Sequence, residues 1–144
     1  MPTGRRSARR GAVFILYQQD LLGLSAEAAL ARSVREVVDD YARSLVLGVG
    51  GRRDDLDAAL KKHITGWSLE RLGVIERAIL RVAAYEMLYM TEVPAAVVIN
   101  EAVALAKRFC SAEAGALVNG VLGALSGAQG KEAAGTVVVE KEVL

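Results

Sequence analysis

Apolar side chains recur at helical spacing in segment after segment of this chain. Leu56, Leu60 and Ile64 stand four residues apart. Ile75, Ile79 and Val82, with Leu80, Ala83 and Met87, make a wide apolar face, and Val97, Val98, Ala102, Leu105, Ala106 and Phe109 make another. This spacing gathers residues on one side of a 3.6-residue helix and would scatter them over both faces of a strand. Two prolines in 144 residues, against abundant Ala, Leu, Glu and Arg, point the same way. An all-α fold is expected. With 53% apolar residues the chain can bury a real core, and with only 5% aromatics that core must be mostly Ala, Val, Leu and Ile.

Punctuation divides the pattern into six or seven helices. The first is predicted over Arg5 to Leu22, ending near Gly23. Ser25 suits the N-cap of a second helix running to Leu47 and carrying Leu30, Val34, Val37, Val38, Tyr41, Leu45 and Val46. Gly48, Gly50 and Gly51 read as the turn that ends it. A third helix is expected over Arg53 to Ile64, with Asp54, Asp55 and Asp57 at its positive N-terminal end. Thr65, Gly66 and Trp67 then read as a hinge. Ser68 opens a short turn, and a fourth helix spans Val74 to Met90. Pro94 suits the start of a fifth. The last is expected over Ala112 to Leu125, stopping near Gly127. The architecture expected is one domain over residues 1–127, made of two packed three-helix groups, 5–66 and 67–127. Residues 128–144, with TVVVEKEV, read as a disordered tail or a marginal strand.

Chemistry is sparse. One cysteine, Cys110, and one histidine, His63, exclude a disulfide framework and a Cys/His zinc site. No nucleophile–base arrangement is supported by spacing, and Gly48 to Gly51 lacks the Lys-Ser/Thr of a phosphate loop. His63 reads as a helix-end surface residue and Cys110 as a small buried hydrophobe. The basic-then-apolar start lacks the long apolar run and cleavage site of a signal peptide, and the apolar run near Ala78 to Met90 is broken by Arg81 and Glu86. A soluble cytoplasmic protein is expected. Polar residues inside apolar helices, Asn100-Glu101, Asn119-Gly120, Arg81 and Glu86, need partners. Arg81 and Glu86 form buried pairs or reach a partner's surface.

Charge is uneven. Arg5, Arg6, Arg9 and Arg10 cluster before the first acidic residue, Asp20, and the remaining 127 residues hold 14 basic and 17 acidic side chains. At about 100° per residue the arginines fall at about 0°, 100°, 40° and 140° on a helical wheel, with Tyr17 at about 120°. Guanidinium forks pair phosphate oxygens and an aromatic ring stacks on an unpaired base, so the arc suits nucleic acid. A solubilising basic terminus with Tyr17 in the core is the alternative.

The segments RRSARRGAVFILY, AILRVAAYEMLYMTEVPAAVVINEAVALAKRF and LVNGVL, in this order and spacing, resemble the NusB family of bacterial transcription antitermination factors. The resemblance covers nearly all of residues 5 to 125. It implies a two-bundle helical fold, no enzymatic activity and no cofactor. It also implies binding of single-stranded boxA-like RNA of ribosomal RNA operons, together with the small-subunit ribosomal protein NusE, in a complex that joins RNA polymerase and other Nus factors. Carried over residue by residue, Arg5, Arg6 and Arg9 take the positions of the arginine-rich motif, Arg10 adds a charge, and Tyr17 takes the place of an aromatic on the RNA surface. Glu113 lies where an acidic residue sits near the RNA. Glu76 and Glu86 fall where the family turns carboxylates towards the ribosomal protein. Ala116-Leu117 replaces the usual Lys-Phe, so the cation and ring expected near Leu117 in the RNA footprint are lost. Two other readings stand beside this one: a homodimeric scaffold with a masked RNA site, and the RNA-binding part of a ribosomal RNA methyltransferase. The second is disfavoured because no cofactor-binding segment is present.

Overall fold

The computed structural model describes residues 4–33, 39–66, 68–90 and 92–143, with side chains of the last helix described as far as 129. Seven α-helices and one 3-10 turn make up these residues: α1 Arg5–Leu22, α2 Ala26–Arg32, α3 Asp40–Gly51, α4 Arg53–Lys61, the turn Leu69–Arg71, α5 Val74–Tyr89, α6 Ala95–Phe109 and α7 Ala112–Val143. The all-α expectation is met. Among the described residues, no helix is long and apolar enough to cross a membrane.

Helix α1 ends where the sequence predicts. Gly23 adopts a left-handed conformation (φ 64°) that an L side chain resists, and its N–H donates to the Gln19 carbonyl. Ser25 caps α2 by accepting from the Ala28 N–H at 3.1 Å. Ser111 caps α7 in the same way, from the Ala114 N–H at 3.0 Å.

Helix α4 stops at Lys61, short of the expected Ile64, and three larger differences follow. The predicted helix from Ser25 to Leu47 is two helices. The Asp39 carboxylate accepts from the Tyr41 N–H at 2.6 Å and starts α3 afresh. The Val34, Val37 and Val38 stripe lies outside the described residues, as does Trp67 of the expected hinge. Gly48 and Gly50 lie inside α3, and only Gly51 stands at its end. The role of Gly48 and Gly50 is packing. A Cβ on Gly48 would overlap the Tyr85 ring of α5, and one on Gly50 would meet the Ala26 methyl of α2 at 3.0 Å. Finally, α7 continues past Gly127. Glycine in a helix interior costs only about 1 kcal/mol against alanine, and no proline follows to force a stop.

The helices share one continuous apolar core. Helix α1 packs on α2, α3 and α5, while α5, α6 and α7 all pack on one another. Leu45, Leu56, Leu60, Leu69, Ile79, Leu80 and Leu122 are among its most deeply buried side chains. Each contributes about 1.5–3 kcal/mol of transfer free energy. Phe14 of α1 meets Phe109 of α6 edge-to-face, centroids 4.9 Å apart, one of the contacts between these two helices.

Two ion-pair networks cross this core. Arg81 on α5 donates to both oxygens of Asp57 (2.8 and 3.1 Å) and to Asp20 Oδ2 at 3.1 Å, tying α4 and α1 to α5. Arg53 reaches Asp20 Oδ1 at 2.7 Å. Burial opposes the Arg81 charge, but the Asp57 and Asp20 carboxylates outweigh it and hold its pKa above the ordinary value. The second network centres on Glu86 and shapes the candidate site.

Candidate nucleic-acid interface

The four N-terminal arginines do not act as one row. Arg9 is only 5% exposed and Glu86, on α5, is 0% exposed. Arg9 Nε donates to Glu86 Oε1 at 2.7 Å and its Nη2 to Oε2 at 2.8 Å. The Tyr41 hydroxyl of α3 donates to the same Oε2 at 2.7 Å. Burial disfavours the Arg9 charge, yet the hydrogen bonds and charge of Glu86 overcome that and raise its pKa. Two sequence expectations are corrected here. Arg9 does not present its guanidinium to solvent, and Glu86 does not turn outward to a protein partner. The carboxylate and guanidinium satisfy one another, since neither tolerates burial alone.

Tyr41 titrates accordingly. Burial, then the hydrogen bond and charge of Glu86, push its pKa up to about 12 from an ordinary 10. The proton is held more tightly in the folded state, so the stabilisation is complete below pH 10 and is lost as pH rises through 12. In alkaline unfolding, Tyr41→Phe is expected to remove the part of the stability loss that falls between pH 10 and 12. The same loss in wild type and variant would contradict this assignment.

Anchoring Arg9 orients the other three. Arg5, Arg6 and Arg10 are exposed. The Arg5 guanidinium lies 4.9 Å from the centroid of the Tyr41 ring. Arg6 meets Glu101 of α6 with three hydrogen bonds of 3.0 to 3.2 Å. Hydrogen bonding and charge from Glu101 raise the Arg6 pKa. Arg10 makes one long bond, Nη2 to Ser7 Oγ at 3.5 Å. Arg6 and Arg10 line an open groove of about 630 Å³ between α1 and α6. Tyr17 is half-buried two turns further along α1, on the arc of Arg6 and Arg10.

The remaining expected residues gather elsewhere. Glu76, Glu113 and Leu117 line a second groove of about 320 Å³ with Arg71 and Ser111, where the start of α5 meets the α6–α7 turn. Residues assigned separately to a protein partner and to RNA thus share one cleft. Phe109 joins the two regions, touching Phe14 on one side and preceding this turn on the other. Cys110 beside it is half-buried, and burial followed by the Glu76 charge raises its thiol pKa. Arg108, which sequence reasoning missed, and Asn100, which it read only as a polar residue in need of a packing partner, stand across the first groove from Arg6 and Arg10. Their signal was there: with Glu101 and Ala104 they fall on one helical face.

Comparison with known proteins fits this geometry. The NusB family model matches residues 6–126. The transcription antitermination protein NusB of Rubrobacter xylanophilus is 47% identical over 120 residues, covering 82% of this chain and 86% of its own. The solved structure of T. maritima NusB superposes with a TM-score of 0.78 at 31% identity, over 87% of this chain and 92% of that one. A crystal structure of the antitermination factors NusB and NusE in complex with double-stranded RNA gives the same TM-score, 0.78, at 31% identity, over 86% and 96%. A helical fold matched along nearly its whole length, with an arginine-bearing first helix anchored from beneath, has one reading: the chain belongs to the NusB family and is a transcription antitermination protein.

Proposed function

We propose that this protein binds boxA-like single-stranded RNA of ribosomal RNA operons along the exposed edge of α1, through Arg5, Arg6 and Arg10 with Tyr17. It does so jointly with the ribosomal protein NusE and acts with RNA polymerase and other Nus factors. The observation that carries this reading is the sorting of the arginines. One is buried as an anchor, and three stand at the surface of the same helix end. Exposed guanidiniums release counterions on meeting a phosphate backbone, so binding should weaken steeply with salt. Arg9 acts as a positioning residue: it contacts Glu86 and holds the helix on which its neighbours stand.

Glu76, Glu113 and Leu117 form the second element of this surface. Their cleft carries two carboxylates and one arginine, Arg71, which suits a protein with basic side chains better than a nucleic acid. We assign it to NusE, with Leu117 and Glu113 at the border of the RNA.

The experiment is an anisotropy titration of labelled boxA-like RNA, with and without NusE. Binding should tighten when NusE is added. Glu76→Lys should abolish that gain while leaving binding by the protein alone nearly unchanged. Equal affinity in both arms for wild type would contradict joint binding. A dimer on sizing chromatography that RNA neither binds nor dissociates would favour the scaffold reading.

A further inference from the structure

The groove between α1 and α6 holds more chemistry than the N-terminal arginines supply. Its α1 wall carries Arg6, Ser7 and Arg10, and its α6 wall carries Asn100, Glu101 and Arg108. Three guanidiniums therefore face one carboxylate. Glu101 is already taken by Arg6. Arg10 has only the long bond to Ser7, and the Arg108 guanidinium lies 5.0 Å from the Phe109 ring centroid. Among the described residues, neither Arg10 nor Arg108 meets a carboxylate. The groove thus offers two unneutralised cations from opposite walls. Asn100 is an exposed amide on the same rim. The Phe14–Phe109 contact between the two walls sits next to Arg108. The volume, about 630 Å³, lies within the roughly 300–1,000 Å³ of small-ligand sites and leaves room for one nucleotide.

We infer that α6 completes a one-nucleotide subsite. Arg10 and Arg108 hold one backbone phosphate from two sides, and Asn100 hydrogen-bonds the edge of the attached base. The division of labour follows from the groups themselves. Guanidinium–phosphate contacts fix position but carry no sequence information, whereas an amide both donates and accepts and can distinguish base edges. Glu101 holds Arg6 along the wall, so Arg6 lends less net charge to the phosphate than Arg10 or Arg108 does. This inference rests on the RNA reading proposed above. It adds two residues of α6 to the arginine edge of α1.

The test uses the full chain and the same boxA-like RNA, titrated at several salt concentrations, beside RNAs changed at one base. Asn100 and Arg108 are exposed, so their variants should fold. Arg108→Gln should lower the log–log salt slope by about 0.7. Lys62→Gln, an exposed cation just past α4, supplies the control for losing a positive charge elsewhere and should leave the slope as in wild type. Asn100→Ala should keep the wild-type slope. At one base position its preference for the matched RNA should fall roughly two- to tenfold. The inference is overturned if Arg108→Gln matches Lys62→Gln, or if Asn100→Ala keeps wild-type discrimination at every position, while Arg6→Gln/Arg10→Gln still loses affinity. If wild type shows no salt-dependent binding, or Arg6→Gln/Arg10→Gln binds as wild type does, it is the RNA reading itself that fails.

Discussion

Glu86→Ala should destabilise the fold by about 3–5 kcal/mol, read as a lowered denaturant midpoint with little change in slope. Glu86 is fully buried, and its two oxygens accept from Arg9 Nε, Arg9 Nη2 and the Tyr41 hydroxyl. Removing it strands a guanidinium that is 5% exposed. It also leaves the Tyr41 hydroxyl without this acceptor. The penalty comes from the orphaned charge more than from the lost pair. The double variant Glu86→Leu/Arg9→Met should therefore recover much of the stability, because an apolar pair of similar volume has no desolvation cost to repay. A double variant no more stable than Glu86→Ala would show that shape, and not charge, governs this part of the core. The α1 arginine edge depends on this anchor, so Glu86→Ala should weaken RNA binding too, although Glu86 itself touches no surface.

Arg81→Ala is the second large effect, again about 3–5 kcal/mol. Arg81 is 7% exposed and closes both Asp57 oxygens and one Asp20 oxygen. Asp20 keeps Arg53 at 2.7 Å, but Asp57 loses its two arginine hydrogen bonds. A half-buried carboxylate left in that position keeps its desolvation cost without the guanidinium that offset it. Asp57→Asn in the Arg81→Ala background should then restore part of the loss, because the amide carries no charge to desolvate. Chemical denaturation of the single and double variants checks this. Equal stability in the two would contradict it. This network lies at the far end of α1 from the arginine edge, so the folded fraction of Arg81→Ala should bind RNA with wild-type affinity.

Local signals were legible where one residue type has one structural meaning. Gly23 in a left-handed cap and Ser25 as an N-cap could be read from the chain because their chemistry acts within a few residues. Gly48 was not legible in this way. A glycine that ends a helix and one that admits a neighbouring ring look the same in sequence, and the difference lies in Tyr85, 37 positions away. The split before α3 turned on Asp39, which sits within an otherwise continuous apolar pattern. Arg9 shows the same limit at the site. On the wheel it shares the arc of Arg5, and only the carboxylate of Glu86, 77 residues later, decides that Arg9 is buried and Arg5 exposed. That Glu86 belongs to a buried pair was one of two readings open for a charge inside an apolar helix, and it is the one found.

The central claim is that the surface arginines of α1 bind RNA while Arg9 supports them from within. The most direct measurement is the salt dependence of boxA-like RNA affinity for wild type and Arg6→Gln/Arg10→Gln, at matched folded fraction. Arg10 makes one full phosphate contact and Arg6, shared with Glu101, less than one, so on single-stranded RNA the slope change falls between about 0.7 and 1.4. The double variant should show a log–log slope shallower by about that amount and an affinity lower by at least about tenfold at low salt. An unchanged slope with unchanged affinity would contradict the account.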